Sequence, residues 1–272
     1  MDDHKTPEHD PQAMSALLDG MIEAVDAAGQ VLLARFSTAN RVDDGPSLLA
    51  AIEANDDASL AVLRPMLERL RPGARWDDDE EGRGPLGAGE WWVADSAEGN
   101  VNHIHGSADW GITATLVRDD VPVLTVVALP ALGHVHTAIR GGGAFLDGSP
   151  IAVSAKAELK AALVGTGQAK PGEAPEIRRR MAASIDRMLD AALLVSATVP
   201  ATLALVRVAA GHSDAFWQDG QIRSGLLAGA LLVEEAGGVV VDSSGAPWTL
   251  ASDDLIATTP GLVSAVTAVL AR

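Results

Sequence analysis

The sequence predicts a layered, mixed α/β fold, and three stretches of pattern carry that prediction. Helical periodicity dominates residues 11–70, short apolar runs with tight turns fill 108–154, and strand–helix alternation occupies the rest. At 272 residues the chain can bury a substantial core. It reads as one domain of two closely packed lobes, an α+β lobe over 11–155 with an antiparallel sheet and an α/β lobe over 156–272.

Met1 to Asp10 is polar and acidic and lacks the apolar stretch of a signal peptide, so it reads as a disordered tail. From Pro11 to about Phe36, apolar residues recur at Met14, Leu17, Leu18, Met21, Ile22, Val25, Ala28, Val31 and Leu32, the stripe of a long amphipathic helix. Thr38 to Pro46 is a polar break. A second helix is expected from about Ser47 to Leu70, with Pro65 interrupting it through its missing N–H. Trp91–Ala94 suits a short buried strand, which would leave Asp95 at its carboxyl end, where open sheets place ligands.

Ala108–Val117 and Val121–Leu129 flank Arg118-Asp119-Asp120 as two strands flank a hairpin turn. His134–Ile139 continues the meander, with turns at Gly141-Gly142-Gly143 and Asp147-Gly148. Strands are then expected at Ala162–Gly165, Leu193–Val195, Ala215–Trp217, Val239–Val241 and Leu255–Ala257. Between and after them come helices at about Glu173–Ala192, Pro200–Ala210, Gly225–Ala236 and from Gly261 onward.

Composition narrows the partners. Apolar residues make up 47 % and aromatics only 3 %, so the core must be built mostly of Ala, Val and Leu. No apolar run reaches membrane-spanning length, and the absence of cysteine rules out disulfides and thiolate metal sites. A cytoplasmic location is therefore expected. A formal charge of −17 argues against nucleic acid or an anionic membrane as partner. It leaves room for a phosphorylated substrate where a bound cation inverts the local field.

Such a cation has candidate ligands. Asp95 and Glu98 stand three residues apart before Gly99 and Asn100, and Asp77-Asp78-Asp79-Glu80-Glu81 lies upstream. A turn at 95–98 could aim both carboxylates at one hard cation while the Gly99 and Asn100 amides face an anion. His103 and His105 would share a face if they lay on a strand, as a zinc pair does.

The stretch W-V-A-D-S-A-E-G-N-V-N-H-I-H-G, Trp92 to Gly106, resembles the signature W-(I/V)-x-D-P-(I/L)-D-G-T-x-N-F-x-H-G of inositol monophosphatase-like, metal-dependent phosphatases. Gly141 to Ser154 is similar to a second motif of that family, and the resemblance covers about residues 12–271. It implies an α-β-α-β-α sandwich and hydrolysis of a small phosphomonoester of inositol, sugar or nucleotide type. The cofactor it implies is Mg²⁺, with Mn²⁺ the alternative. A homodimer is the analogy it offers. Carried over, Glu80 binds metal and helps activate water, with Glu81 beside it. Asp95 bridges the metals, the Ala97 carbonyl and Glu98 complete the set, and Gly99, Asn100 and Gln218 face the substrate. A structural histidine is the family's habit at His105, and a phenylalanine stands at the position of His103.

The departures carry equal weight. Glu98 replaces an aspartate, which moves its carboxylate by roughly 1.5 Å if nothing adjusts, and Asn100 replaces a threonine. The family's third metal-binding aspartate falls on Gly225, and its T-D motif falls near Asn55-Asp56. Its R-x-x-G-(S/T)-A-A-L motif falls on Ser196-Ala197-Thr198-Val199-Pro200-Ala201-Thr202-Leu203, where the glycine–serine step is lost. These losses keep open an alternative, a degenerate member that binds a ligand or partner and hydrolyses nothing.

Overall fold

The computed structural model describes residues 11–39, 41–79, 82–169, 172–220 and 222–271, so the tail read at 1–10 lies outside it. Helix pair, seven-stranded sheet, helix pair, five-stranded sheet and helix pair stack in that order, the expected α-β-α-β-α sandwich. Among the described residues, no helix is long and apolar enough to cross a membrane.

Helices α1 (Pro11–Arg35) and α2 (Gly45–Leu70) form the first outer layer. The α1 stripe of Met21, Ala24, Val25, Ala28 and Leu32 is fully buried with Leu63 and Leu67 of α2 against Trp92, Ile112 and Leu116 of the sheet. Asp44 caps α2 by accepting from the Ser47 N–H at 2.7 Å. Pro65 does not interrupt the helix, contrary to expectation. Both Pro65 and Ala61, the residue whose carbonyl loses its partner, are exposed, so water can satisfy that carbonyl.

The first sheet runs in chain order: β1 (Arg75–Trp76), β2 (Glu90–Glu98), β3 (Gly111–Arg118), β4 (Val121–Leu129), β5 (His134–Ile139), β6 (Gly143–Leu146) and β7 (Ser149–Pro150). Only β1 pairs in parallel, and a short helix, α3 (Asn100–Ile104), follows β2. The β3–β4 hairpin turns on Asp119 and Asp120, both left-handed at φ 49° and 65°. Their carboxylates also accept from the backbone N–H groups of Leu86, Gly87 and Gly89 at 2.6–2.9 Å, which ties the loop before β2 to the hairpin tip.

The second sheet has the order β11 (Val239–Val241), β12 (Asp254–Thr258), β10 (Ala215–Asp219), β8 (Leu163–Thr166), β9 (Leu194–Ala197). Helices α4 (Pro175–Ala191) and α7 (Val263–Leu270) cover its outer face. Helices α5 (Ala201–Ala209) and α6 (Arg223–Glu235) lie between the two sheets, and α6 is buried almost throughout. Gly229 lets α5 and α6 touch, because a Cβ there would collide with the Leu205 side chain.

Candidate active site

Strand β2 does not stop before Asp95. It continues to Glu98, and its pairing slips between Asp95, opposite Thr113, and Glu98, opposite Gly111. Three steps on one strand thus face two on the other, which is a β-bulge. The bulge, rather than a turn beyond the strand, sets the two carboxylates near each other.

Asp95 is half-buried. Its N–H donates to Thr113 Oγ1 at 3.2 Å, and its Oδ1 accepts from the Ala97 N–H at 3.0 Å. Glu98 is buried and 5 % exposed. Burial first, and the charge of Asp95 second, push its carboxyl well above the ordinary range, against a hydrogen bond from Thr202 that pulls it down. The fully buried Thr202 hydroxyl lies 2.7 Å from Glu98 Oε2 and 2.9 Å from the Gly225 carbonyl oxygen. One hydroxyl proton can serve only one of these acceptors. A protonated Glu98 satisfies both, donating to Thr202 while Thr202 donates to Gly225. The extra methylene of Glu98 therefore carries its carboxylate to the crossing of α5 and α6. A Cβ built on Gly225 would meet nothing within 4 Å outside its own helix.

Gly99 caps α3 with φ 76°, and a Cβ there would lie 2.8 Å from the Asp109 carbonyl oxygen. Asn100, the first residue of α3, turns its side chain toward α2. Its Nδ2 donates to Asp56 Oδ1 at 2.9 Å and to the Ile52 carbonyl at 3.1 Å, and its Oδ1 accepts from Asn55 Nδ2 at 2.8 Å. Both amide hydrogens are thus engaged. Asn55 and Asp56, the α2 residues that meet Asn100, are the pair the sequence located only loosely.

Of the acidic run, Asp77 is buried in a two-pronged ion pair with Arg223 at 2.8 and 2.9 Å. Asp78 pairs with Arg64 at 2.6 Å. Glu80 and Glu81 lie outside the described residues. Among the described residues, no group of three or more Asp, Glu or His side chains is gathered as a metal would require. The oxygen donors of Asp95 and Glu98 are of the kind a hard divalent cation takes, and positive charge would relieve a carboxyl raised first by burial and second by the charge of Asp95.

The two histidines do not share a strand. His103 lies in α3, buried, with Nε2 2.9 Å from the Leu32 carbonyl and Nδ1 3.1 Å from Asn55 Nδ2, and it packs edge-on against Trp110 at 4.8 Å. His105 Nδ1 lies 2.8 Å from the Val101 carbonyl. Both are structural. Gln218, the last residue but one of β10, lies against Gly167, and its Nε2 lies 3.3 Å from the Asp219 carbonyl. It lines a cavity of about 300 Å³ with Arg180, Arg187 and Trp217, and none of residues 95–100 lines that cavity. The segment 196–203 lines another, of about 210 Å³, through Ser196, Thr198, Val199, Pro200 and Leu203.

Two residues escaped the sequence reading, whereas Asp56 carried a weak signal, its place near the family's T-D motif. Thr202 and Arg223 carried none, since their partners lie 104 and 146 residues away.

The sequence profile of the inositol monophosphatase family matches residues 13–271. An inositol-1-monophosphatase of Rhizobium meliloti is 32 % identical, with 96 % of this chain and 98 % of that protein aligned. A protein of Pseudomonas aeruginosa named Nus factor SuhB is 35 % identical over 90 % of this chain and 92 % of its own. The solved inositol monophosphatase of Anabaena (Nostoc) superposes with a TM-score of 0.80 at 26 % identity, covering 94 % of this chain and 95 % of that one.

Proposed function

The chain belongs to the inositol monophosphatase family, and from that premise we propose that it is a divalent-metal-dependent phosphatase of a small phosphomonoester. The observation that supports this most is the buried Glu98 beside the half-buried Asp95, where a cation would offset the cost of ionising Glu98, set first by burial and second by the charge of Asp95. Asp95, Glu98, the Ala97 carbonyl and Glu80 would hold Mg²⁺ or Mn²⁺. When bound, such an ion lowers the pKa of water and stabilises the departing alkoxide.

The chain's own groups have distinct tasks in this reading. Gly99 and the first N–H groups of α3 would hold phosphate oxygens. Asn100, with both amide hydrogens engaged, would orient water only by accepting its hydrogen. The proton would then go to a carboxylate, Glu80 or Asp56, because an amide cannot take it. Asn100 thus braces Asp56 instead of relaying a proton. The rebuilt 196–203 segment would shape the leaving-group pocket differently from a pocket suited to inositol.

A second reading is a partner-binding role of the SuhB type. The 35 % identity to a Nus factor, together with Gly225 where the family signature expects a carboxylate, favours it. That relative also keeps nucleic acid among the candidate partners despite the charge of −17. One experiment separates the readings: phosphate release from inositol, sugar and nucleotide monophosphates, alongside thermal melts in Mg²⁺, Mn²⁺ and EDTA. We expect a metal-dependent midpoint shift and turnover that is weaker on inositol monophosphate than on another ester. Silence across the panel with a clear metal shift favours the partner-binding role. Identical midpoints in metal and EDTA, with no turnover, refute the metal site itself.

A further inference from the structure

A cavity of about 280 Å³ opens where α1 ends, between residues 41–42, α2 and α3. Its polar lining is Arg35, Arg41, Asn55 and His103, and among the described residues no carboxylate lines it. In a chain of formal charge −17, this reversal of sign is local and specific. Both guanidinium heads are fixed. Arg41 Nη1 donates to the Thr38 and His105 carbonyls, each at 2.9 Å, and Arg35 Nε donates to Asn55 Oδ1 at 2.8 Å. Planar, pre-oriented guanidinium forks are the side chains best matched to a tetrahedral oxyanion.

We propose that this cavity is a second binding site for a phosphate dianion, either free or as the head of a small phosphate ester. It shares no lining residue with the Asp95–Glu98 pair, needs no metal, and does not rest on the phosphatase reading. It is nevertheless connected to α3. Asn55 accepts from Arg35 through Oδ1 and donates from Nδ2 to Asn100 Oδ1 at 2.8 Å. An anion drawing on Arg35 would therefore act on the side chain that begins α3.

The test is isothermal titration of the full chain in EDTA with inorganic phosphate and, separately, glucose 6-phosphate. EDTA removes any contribution from a metal-held phosphate. Single-site binding is expected, weakened by about tenfold or more in Arg41→Gln. It should vanish in Ala51→Glu, which adds a carboxylate to the lining from a half-buried helical position that glutamate suits. Thermal melts identify any variant that fails to fold, and the other then decides. Tighter binding of the sugar phosphate identifies an ester as occupant, and equal binding identifies the free anion. No binding up to about 10 mM, or equal binding by the parent and both variants, overturns the proposal.

Discussion

Arg223→Met should destabilise the protein by about 3–5 kcal/mol, the range for removing one member of a buried ion pair. The guanidinium and the Asp77 carboxylate are 8 % and 7 % exposed, and two short hydrogen bonds join them. Methionine fills much of the volume but leaves Asp77 desolvated and unpaired by its present partner. The Arg83 and Gly84 carbonyls, at 2.7 and 3.2 Å from Nη1, lose a donor as well. Each such bond contributes about 1 kcal/mol. These losses overlap with the pair's own, and protonation of Asp77 caps the total, so the estimate is not raised. Urea unfolding in EDTA measures the effect. The double variant with Asp77→Asn should recover part of the loss, as removal of both charges leaves no orphan. A loss under about 1 kcal/mol, or strictly additive effects in the cycle, would refute the view that this pair fastens the acidic loop to α6.

Three further outcomes follow from the same groups. Because burial and Asp95 raise the Glu98 pKa, the folded state keeps that proton to higher pH than the unfolded chain, and stability is lost as pH rises through the raised value. Glu98→Gln should therefore be the more stable apoprotein at pH 8 and match the parent near pH 4, and melts in EDTA that show the same difference at both pH values would contradict the assignment. His136 is 4 % exposed and burial lowers its pKa to about 4, so its contribution is present above the unfolded value of 6.5 and lost as pH falls toward 4. His136→Val should remove an acid sensitivity of order 3 kcal/mol, read as a flatter stability profile between those limits. Gly225→Asp should raise Mn²⁺ affinity or stoichiometry in isothermal titration while lowering apoprotein stability, since the new carboxylate would enter the open space above Gly225 close to Glu98. Unchanged binding by a folded variant would place residue 225 away from the metal.

The layers were legible because their signals are local. Strands β4 and β5 begin and end where apolar runs meet turn residues, and the α1 stripe repeats every three or four positions over 25 residues. What failed was decided elsewhere in the chain. Pro65 was tolerated because its turn of α2 faces water, a matter of packing that composition does not reveal. Asp95 sits inside β2 because β3 supplies Thr113 opposite it, and the slip that follows depends on a partner strand. His103 and His105 depended on whether their segment was strand or helix, and a five-residue helix has too short a period to announce itself. The motif located Asp95, Glu98 and Gly99, yet the meaning of Glu98 lies in Thr202 and Gly225, two changes far apart that become one arrangement only in space.

The Asp77–Arg223 pair also has a consequence for the order in which the chain is made. The antiparallel meander can pair as soon as each hairpin emerges, since its neighbours are adjacent in sequence. Asp77 cannot be ion-paired then, because its counter-ion is 146 residues further on and is synthesised after the first three strands of the second sheet. For most of synthesis the Asp77 carboxylate stays solvated beside an already pairing sheet. The nascent chain thus carries the signature motif before Thr202 and Arg223, the partners of Glu98 and Asp77, are made, and a truncated product would hold both carboxylates without them.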